Sequence, residues 1–159
     1  MTPRVASERL VHYALEVLGD RPARVADVGT GSGAIAIALA TSAPRVEVWA
    51  SDTSPTAVAL AQINVRRHGL DSRVFVRHGN LLDPLPGSFD LVLANLPYLP
   101  AASSTEHPEL NGEPAHAVYA PGDGLELYRR LLAQSANRLL PGGEIAFQLH
   151  CEVVTAAAA

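Results

Sequence analysis

The chain is 159 residues long, 48% apolar and 18% charged, which suits one domain around a hydrophobic core and excludes a disordered chain. Its net charge is −4 and its 12 basic residues are all arginine, which argues mildly against a tight nucleic-acid binder and excludes a lysine-based phosphate loop. No apolar run reaches the roughly 18 residues that cross a membrane, and the N-terminus lacks a basic-then-apolar signal pattern, so a cytoplasmic chain is expected.

In chain order, short β-like runs alternate with longer helical ones, the pattern of a mainly parallel sheet with helices on both faces. Residues 7–18 carry the apolar stripe Leu10, Val11, Ala14, Leu15, Val17 and Leu18, with Ser7 as expected N-cap and Gly19 as stop. Residues 24–28 read as a first strand, 32–41 as an Ala/Ile-rich helix and 45–51 as an alternating second strand. Asp52-Thr53-Ser54-Pro55 turns the chain into a helix over 55–68, with proline suited to its first turn and Gly69 after its end. A third strand covers 73–77, and the nearly all-apolar 89–94 reads as a central fourth strand. Residues 97–122 form a long Pro/Ser/Gly-rich loop, of the kind that is usually functional or mobile. A helix over 124–140 then presents Leu125, Leu127, Tyr128, Leu131 and Leu132 to the core. Pro141-Gly142-Gly143 reads as a turn, 144–149 as a fifth strand, and Ala156–Ala159 as a featureless tail.

No internal repeat or linker interrupts the chain, so residues 1–159 are expected to form a single domain. The lone Cys151 cannot form an internal disulfide, no Cys/His cluster has zinc spacing, and no metal is expected. The patches Arg66-Arg67-His68 and Arg73, Arg77, His78 read as solvated faces, and His68, His107 and His116 as isolated, non-catalytic histidines.

Chemistry concentrates after the first strand, in Asp27-Val28-Gly29-Thr30-Gly31-Ser32-Gly33. Strand, glycine turn and helix N-terminus together make a nucleotide-type cradle, because glycine lets the backbone turn sharply and approach a ligand. Asp52 ends the second strand about 20 residues further on, where a carboxylate can accept both ribose hydroxyls. The other reading of Asp52 is a helix N-cap before Pro55. Asp27 places negative charge at the loop entrance, which suits a cationic sulfonium and ammonium better than a pyrophosphate; it could also hydrogen-bond the glycine-loop amides. The fourth strand ends in Asn95-Leu96-Pro97-Tyr98, beyond the carboxyl ends of the strands where such sheets bind ligands. Taken alone, that tetrapeptide could be an Asx-type turn.

Together these segments resemble the class I S-adenosylmethionine methyltransferases that modify amino nitrogens, whose tetrapeptide is (Asn/Asp/Ser)-Pro-Pro-(Tyr/Phe). More narrowly, Thr2-Pro3-Arg4 with Ser7-Glu8-Arg9-Leu10-Val11, then Ser54-Pro55 with Ala61-Gln62-Ile63-Asn64 and His68-Gly69-Leu70, resemble the release-factor glutamine N5-methyltransferase family (the HemK/PrmC type). So does Glu113-Pro114 followed by Tyr119-Ala120-Pro121-Gly122-Asp123-Gly124-Leu125 and Tyr128-Arg129-Arg130, the most family-specific stretch. The resemblance runs from about residue 2 to residue 149.

It implies a Rossmann-like sheet, S-adenosyl-L-methionine as cofactor, and a protein substrate such as a peptide chain release factor. The implied cofactor set is Asp27, Gly29, Thr30, Gly31, Ser32, Gly33, Asp52, Thr53, Asn80, Leu81 and Asn95, with the glycine loop on the methionine part, Asp52 on the ribose and Leu81 beside the adenine. The implied catalytic set is Asn95, Leu96, Pro97 and Tyr98. An amide nitrogen is a poor nucleophile, so orientation must do much of the work, up to roughly 7–11 kcal/mol. The Asn95 side-chain oxygen and the Leu96 carbonyl would accept the two N–H protons, and Tyr98 would pack on the planar group.

The chain departs from the family where Leu96 replaces a proline and where Gly79-Asn80 stands for Gly-Asp. Asn-Leu-Pro-Tyr also occurs in rRNA adenine dimethyltransferases, so the tetrapeptide alone leaves the substrate open. The family's sheet has seven strands, and this chain reads as ending after five, without the last two. The fifth would then be an exposed edge that a partner or a second copy could cover, giving a homodimer. A nucleic-acid adenine-N6 methyltransferase, a small-molecule methyltransferase and a non-catalytic partner domain are the competing functions.

Overall fold

The computed structural model describes residues 5–100, 118–120, 122–149 and 152–157. Expectations for residues 2–4, His107, Glu113–Pro114, His116, Cys151 and most of the 97–122 loop fall outside these described residues.

The elements are α1 (Val5–Leu18), β1 (Ala23–Val28), α2 (Ala34–Ser42), β2 (Val46–Asp52), α3 (Pro55–Arg67), β3 (Val74–His78), β4 (Phe89–Ala94), β5 (Leu99–Pro100), β6 (Tyr119–Ala120), α4 (Glu126–Ser135), β7 (Leu139–Leu149) and β8 (Glu152–Ala157). One six-stranded sheet has the order β3-β2-β1-β4-β7-β8, and β5 pairs with β6 separately. Five of the six strands run parallel, as the βα alternation predicts; β8 pairs antiparallel with β7 from Leu149↔Glu152 to Glu144↔Ala157.

Side chains alternate across the sheet and build a core on each face. Val25, Leu91, Leu93 and Ala146 join Leu10, Leu18, Leu39, Val58 and Val65 on the face of α1, α2 and α3. Ala26, Val92, Ala94, Ile145 and Phe147 join Leu82, Leu85, Tyr128 and Leu131 on the face of α4. α2 contacts both α1 and α3, which explains its apolar surround: Ile35, Ala36, Ile37, Leu39 and Ala40 are all buried.

Several expectations need correction. Ser7 is not the cap of α1, which starts at Val5; Gly19 does end it, in a left-handed turn whose N–H bonds the Leu15 carbonyl at 3.0 Å. Asp52 is not the cap of α3, because Ser54 is, accepting the Ala57 N–H at 3.3 Å with Pro55 at the first helical position. α4 is shorter than 124–140, since the Arg138 carbonyl accepts the Phe89 N–H at 2.8 Å and ties the chain to the sheet. Its core stripe is Tyr128, Leu131 and Ser135, whereas Leu125 and Leu132 are 37% and 41% exposed. Pro141-Gly142-Gly143 lies inside β7, where the pairing jumps from Phe89↔Leu139 to Leu91↔Glu144. A sixth strand occupies the edge of the fifth, so the reason given for a homodimer does not hold at β7.

Candidate functional site

The strand register sets the site. Val28, Ser51 and Ala94 are level across β1, β2 and β4, and Asp52 is level with His78 on β3. β1 lies between β2 and β4, so the strand order reverses here, and the glycine loop and Asn95 both leave the sheet at this switch point.

Gly29, Gly31 and Gly33 have φ of 74°, 57° and 84°, a left-handed region that L side chains rarely adopt. The loop is pinned from β2. The Ser51 carbonyl accepts the Gly29 and Thr30 N–H groups at 2.9 and 3.0 Å, and Asp52 Oδ2 accepts the Gly31 N–H at 2.9 Å. Asp52 Oδ1 accepts the Ser54 N–H at 2.9 Å, so one carboxylate joins the glycine loop to the start of α3. Asn64 on α3 adds a third tie, donating to the Ser32 carbonyl at 2.9 Å.

Asp27 is fully buried, and its Oδ2 accepts the Thr30 hydroxyl at 2.6 Å. It holds the loop through that hydroxyl, not through the glycine amides. Its Oδ1 has no hydrogen-bond partner. Burial lifts the carboxyl from 3.8 to about 6, against the Thr30 hydrogen bond and the pull of the Ala36 backbone N–H, and with help from the nearby Asp52 charge.

On the other side of the switch point, Asn95 donates its side-chain N–H to Ser7 Oγ at 3.4 Å, and its own side chain is half-buried. Leu96 is buried, and a Cβ built on Gly29 would lie 2.6 Å from Leu96 Cδ2. The tetrapeptide and the glycine loop are thus in direct contact, and glycine at 29 is what makes room for Leu96. Tyr98 packs against the α4-side core, and Pro97 is half-buried.

α4 braces this wall. The Tyr128 hydroxyl donates to the Leu96 carbonyl at 2.7 Å, accepts the Leu96 N–H at 3.1 Å and lies 3.1 Å from the Gln148 carbonyl. Burial pushes the Tyr128 phenol well above its ordinary range, so it stays protonated. Asp123 secures the start of α4 by accepting from Leu125 N–H at 3.0 Å and from both Arg129 guanidinium nitrogens at 3.1 and 2.5 Å. The Arg129 hydrogen bonds hold the Asp123 carboxyl down at about 2.

The third wall is the turn after β3. Leu81 has φ of 50°, its carbonyl accepts the Ser51 hydroxyl at 2.7 Å, and its side chain is buried on the α4 face. Asn80 is half-buried and its carbonyl accepts the Asp83 N–H, while Thr53 is exposed with its carbonyl 3.0 Å from His78 Nε2. Gln134 accepts from Leu82 N–H at 2.9 Å and donates to Asp83 at 2.9 Å. Arg138 donates to the Gly87, Leu82 and Leu85 carbonyls.

The structure therefore gathers Asp27, the glycine loop, Asp52, Leu81 and Asn95–Tyr98 around one switch point. Sequence reasoning missed Ser7 as a partner of Asn95, together with Ser51, Gln134 and Arg138; polar residues inside otherwise apolar runs were the available signal for Ser51. A depression of about 160 Å³ lies elsewhere, between α3 and β3, lined by Arg66, Asp71, Phe75 and Arg77 among others. Among the described residues no group of three or more His, Cys, Asp or Glu could hold a metal ion, and no helix is long and apolar enough to cross a membrane.

A parallel sheet with this strand order, a glycine loop after β1 and an acidic residue ending β2 define a Rossmann-like class I methyltransferase fold. Residues 6–107 match the methyltransferase small domain family, and the chain belongs to it. Over 152 residues it is 45% identical to a protein named release factor glutamine methyltransferase from Deinococcus radiodurans, with 94% of this chain and 54% of that one covered. A protein of the same name from Gloeobacter violaceus is 42% identical over 153 residues, again with 94% and 54% covered. Among solved structures, ribosomal protein L11 methylase from Lactobacillus delbrueckii subsp. bulgaricus superposes with a TM-score of 0.65 at 25% identity, covering 92% of this chain and 61% of that one. The chain thus spans about half the length of the curated relatives it matches.

Proposed function

We propose that this chain is the cofactor-binding catalytic core of an S-adenosyl-L-methionine-dependent N-methyltransferase acting on the amide nitrogen of a protein glutamine, of the release-factor type. The observation that carries the reading is the contact between Gly29 and Leu96, which sets a pair of amide-directed acceptors against a cofactor-type glycine loop. The names of relatives at 42–45% identity supply the substrate class. A translation factor as substrate implies a cytoplasmic chain.

The residues fit the cofactor. Asp27 offers a buried, unpartnered carboxylate oxygen, which needs a hydrogen-bond donor and favours a cationic one such as an ammonium group. Gly29, Thr30, Gly31, Ser32 and Gly33 would carry the methionine part, with glycine at 29 and 33 letting the loop sit tight against Leu96 and Ala61. Asp52 would take the ribose with the lone pairs left after its bonds to Gly31 and Ser54, with Thr53 alongside. Asn80 and Leu81 would border the adenine. When bound, the cofactor supplies a methyl group already activated on a positively charged sulfur.

The chain's own contribution is orientation. Because Asn95 gives an N–H to Ser7, its side-chain oxygen is left to accept from a substrate amide. The Leu96 carbonyl has a second lone pair beside the one Tyr128 occupies. Two acceptors at the two N–H bonds of a planar –NH2 group fix the nitrogen's plane and turn its face toward the glycine loop. Pro97 and Tyr98 continue that wall, with Tyr98 flanking the planar group.

The test is methyl transfer from labelled cofactor to a bacterial release factor, with RNA, DNA and a small-molecule pool as parallel acceptors. Expected are protease-sensitive label on the protein and its loss in Asn95→Ala. Label on nucleic acid, or in a small-molecule filtrate, would replace this reading with the corresponding one. Titration with S-adenosylhomocysteine should show saturable binding that Asp52→Ala abolishes. A folded chain that binds none would be a non-catalytic domain.

A further inference from the structure

We infer that Tyr128 is a positioning residue for the transfer: its single hydroxyl holds both polar backbone groups of Leu96 and so aims the Leu96 carbonyl at the substrate nitrogen. The inference rests on the proposed amide specificity and adds to it a residue from a different element, α4, that touches neither substrate nor cofactor.

Two peptide planes flank Leu96. The Asn95–Leu96 peptide is held through the Leu96 N–H, and the Leu96–Pro97 peptide through the Leu96 carbonyl, and both bonds end on the same oxygen, at 3.1 and 2.7 Å. The second plane matters most. Pro97 has no N–H, so a hydrogen bond can fix that plane only through the carbonyl itself. A hydroxyl has one proton and two lone pairs, which matches one acceptor and one donor from the same residue. A phenylalanine here would leave the Leu96 N–H without its acceptor and the Leu96 carbonyl without the bond that orients it.

The hydroxyl is itself rigidly placed. The Tyr128 ring meets Phe147 edge-on, with centroids 5.1 Å apart and an interplanar angle of 86°. The Gln148 carbonyl at the end of β7, 3.1 Å away, is the alternative acceptor for the one hydroxyl proton, and the shorter 2.7 Å distance favours Leu96. The start of α4 is fixed by Asp123 with Leu125 and Arg129. Thus the Gly122-Asp123-Gly124-Leu125 and Tyr128-Arg129 stretch builds a bracket whose free end is one oxygen on Leu96. Tyr128 occupies one lone-pair direction of the carbonyl and leaves the other for an incoming N–H.

Tyr128→Phe keeps the ring and its packing and removes only that oxygen. The expected result is amide exchange at Leu96 at least about tenfold faster relative to Leu93, with S-adenosylhomocysteine affinity unchanged. The turnover number should fall about 10- to 100-fold while the KM for cofactor stays the same, the mark of lost orientation. In the unsubstituted protein, the Tyr128 hydroxyl proton should be slow to exchange and show a nuclear Overhauser contact to the Leu96 N–H. Unchanged Leu96 exchange in the variant, a turnover number like the wild type's, or a freely exchanging Tyr128 hydroxyl in the wild type would each overturn the inference. A wild-type chain that methylates no amide would instead refute the proposed function, and the exchange measurements would still decide the role of Tyr128.

Discussion

Asp52 and Gly31 are joined before any ligand arrives: the Asp52 carboxylate accepts the Gly31 N–H at 2.9 Å. The residue proposed for the ribose therefore also shapes the loop proposed for the methionine part. Asp52→Asn keeps one acceptor and loses the charge and one lone-pair pattern, so it strikes both. Affinity for S-adenosylhomocysteine should fall by about 1.5–3 kcal/mol, the range for hydrogen bonds to charged groups. Calorimetric titration measures this, and a stability loss of about 1 kcal/mol should accompany it. Unchanged affinity would mean that Asp52 serves the loop alone.

Gly29 and Leu96 form a second coupled pair. Alanine at 29 would combine a left-handed φ of 74° with a Cβ 2.6 Å from Leu96 Cδ2. Left-handed backbone costs about 1–2 kcal/mol and overpacking about 1–3 kcal/mol. Gly29→Ala should therefore destabilise by about 2–5 kcal/mol in urea unfolding. Leu96→Ala removes the clash but not the backbone strain, so the double variant should be better than the sum of the singles by at least about 1 kcal/mol. Additive losses would show that the loop yields elsewhere.

Burial of Asp27 gives a pH signature. With its carboxyl lifted from 3.8 to about 6, the folded chain holds a proton between those values that the unfolded chain has released. Stability contributed by this group therefore falls as pH rises through that window, and above it the full cost stands, about 3 kcal/mol at about 1.4 kcal/mol per unit. Asp27→Asn should stabilise the chain by about 1–3 kcal/mol near about pH 7.5, with the gain fading toward about pH 4. The same substitution should weaken S-adenosylhomocysteine binding, because the unpartnered oxygen is the one offered to the ammonium group. Denaturation at both pH values, together with titration, checks the trade; a gain independent of pH would remove Asp27's ionisation from the account.

What could be read from the sequence follows from what local patterns encode. β4 matches its expected 89–94 span and β1, β2 and β3 lie within a residue of theirs, because apolar runs bounded by Gly and Pro are local signals; β7 starts five residues before its expected 144, since Pro141-Gly142-Gly143 is carried in the strand as an irregularity instead of a turn. β8 was missed because Glu-Val-Val-Thr-Ala-Ala has no strong strand period; its order comes from backbone pairing with β7, a tertiary fact. The glycine loop, Asp52 and Asn95 were visible as motifs. Their supports were not: nothing in the spacing of Ser51 or Tyr128 says that one binds two loop amides through its carbonyl and the other both polar groups of Leu96.

The C-terminal end of α4 and the last turn that follows it brace the turn after β3 as Tyr128 braces Leu96. Gln134 bonds the Leu82 N–H and Asp83, and Arg138 reaches three carbonyls between Leu82 and Gly87. Next to these anchors Leu81 holds a φ of 50°, which costs a non-glycine residue about 1–2 kcal/mol and persists only if its surroundings over-determine it. Arg138→Ala would remove a donor from the Leu82, Leu85 and Gly87 carbonyls, of which Leu82 keeps the Leu85 N–H, and let that turn relax. Stability should fall by about 1–3 kcal/mol, and affinity for adenosine itself, which reads only the ribose and adenine end, should fall with it. Exchange at Leu96, held by the other end of the helix, should not change. A variant that loses Leu96 protection as well would show that α4 moves as one piece, and that the two walls of the site are not braced independently.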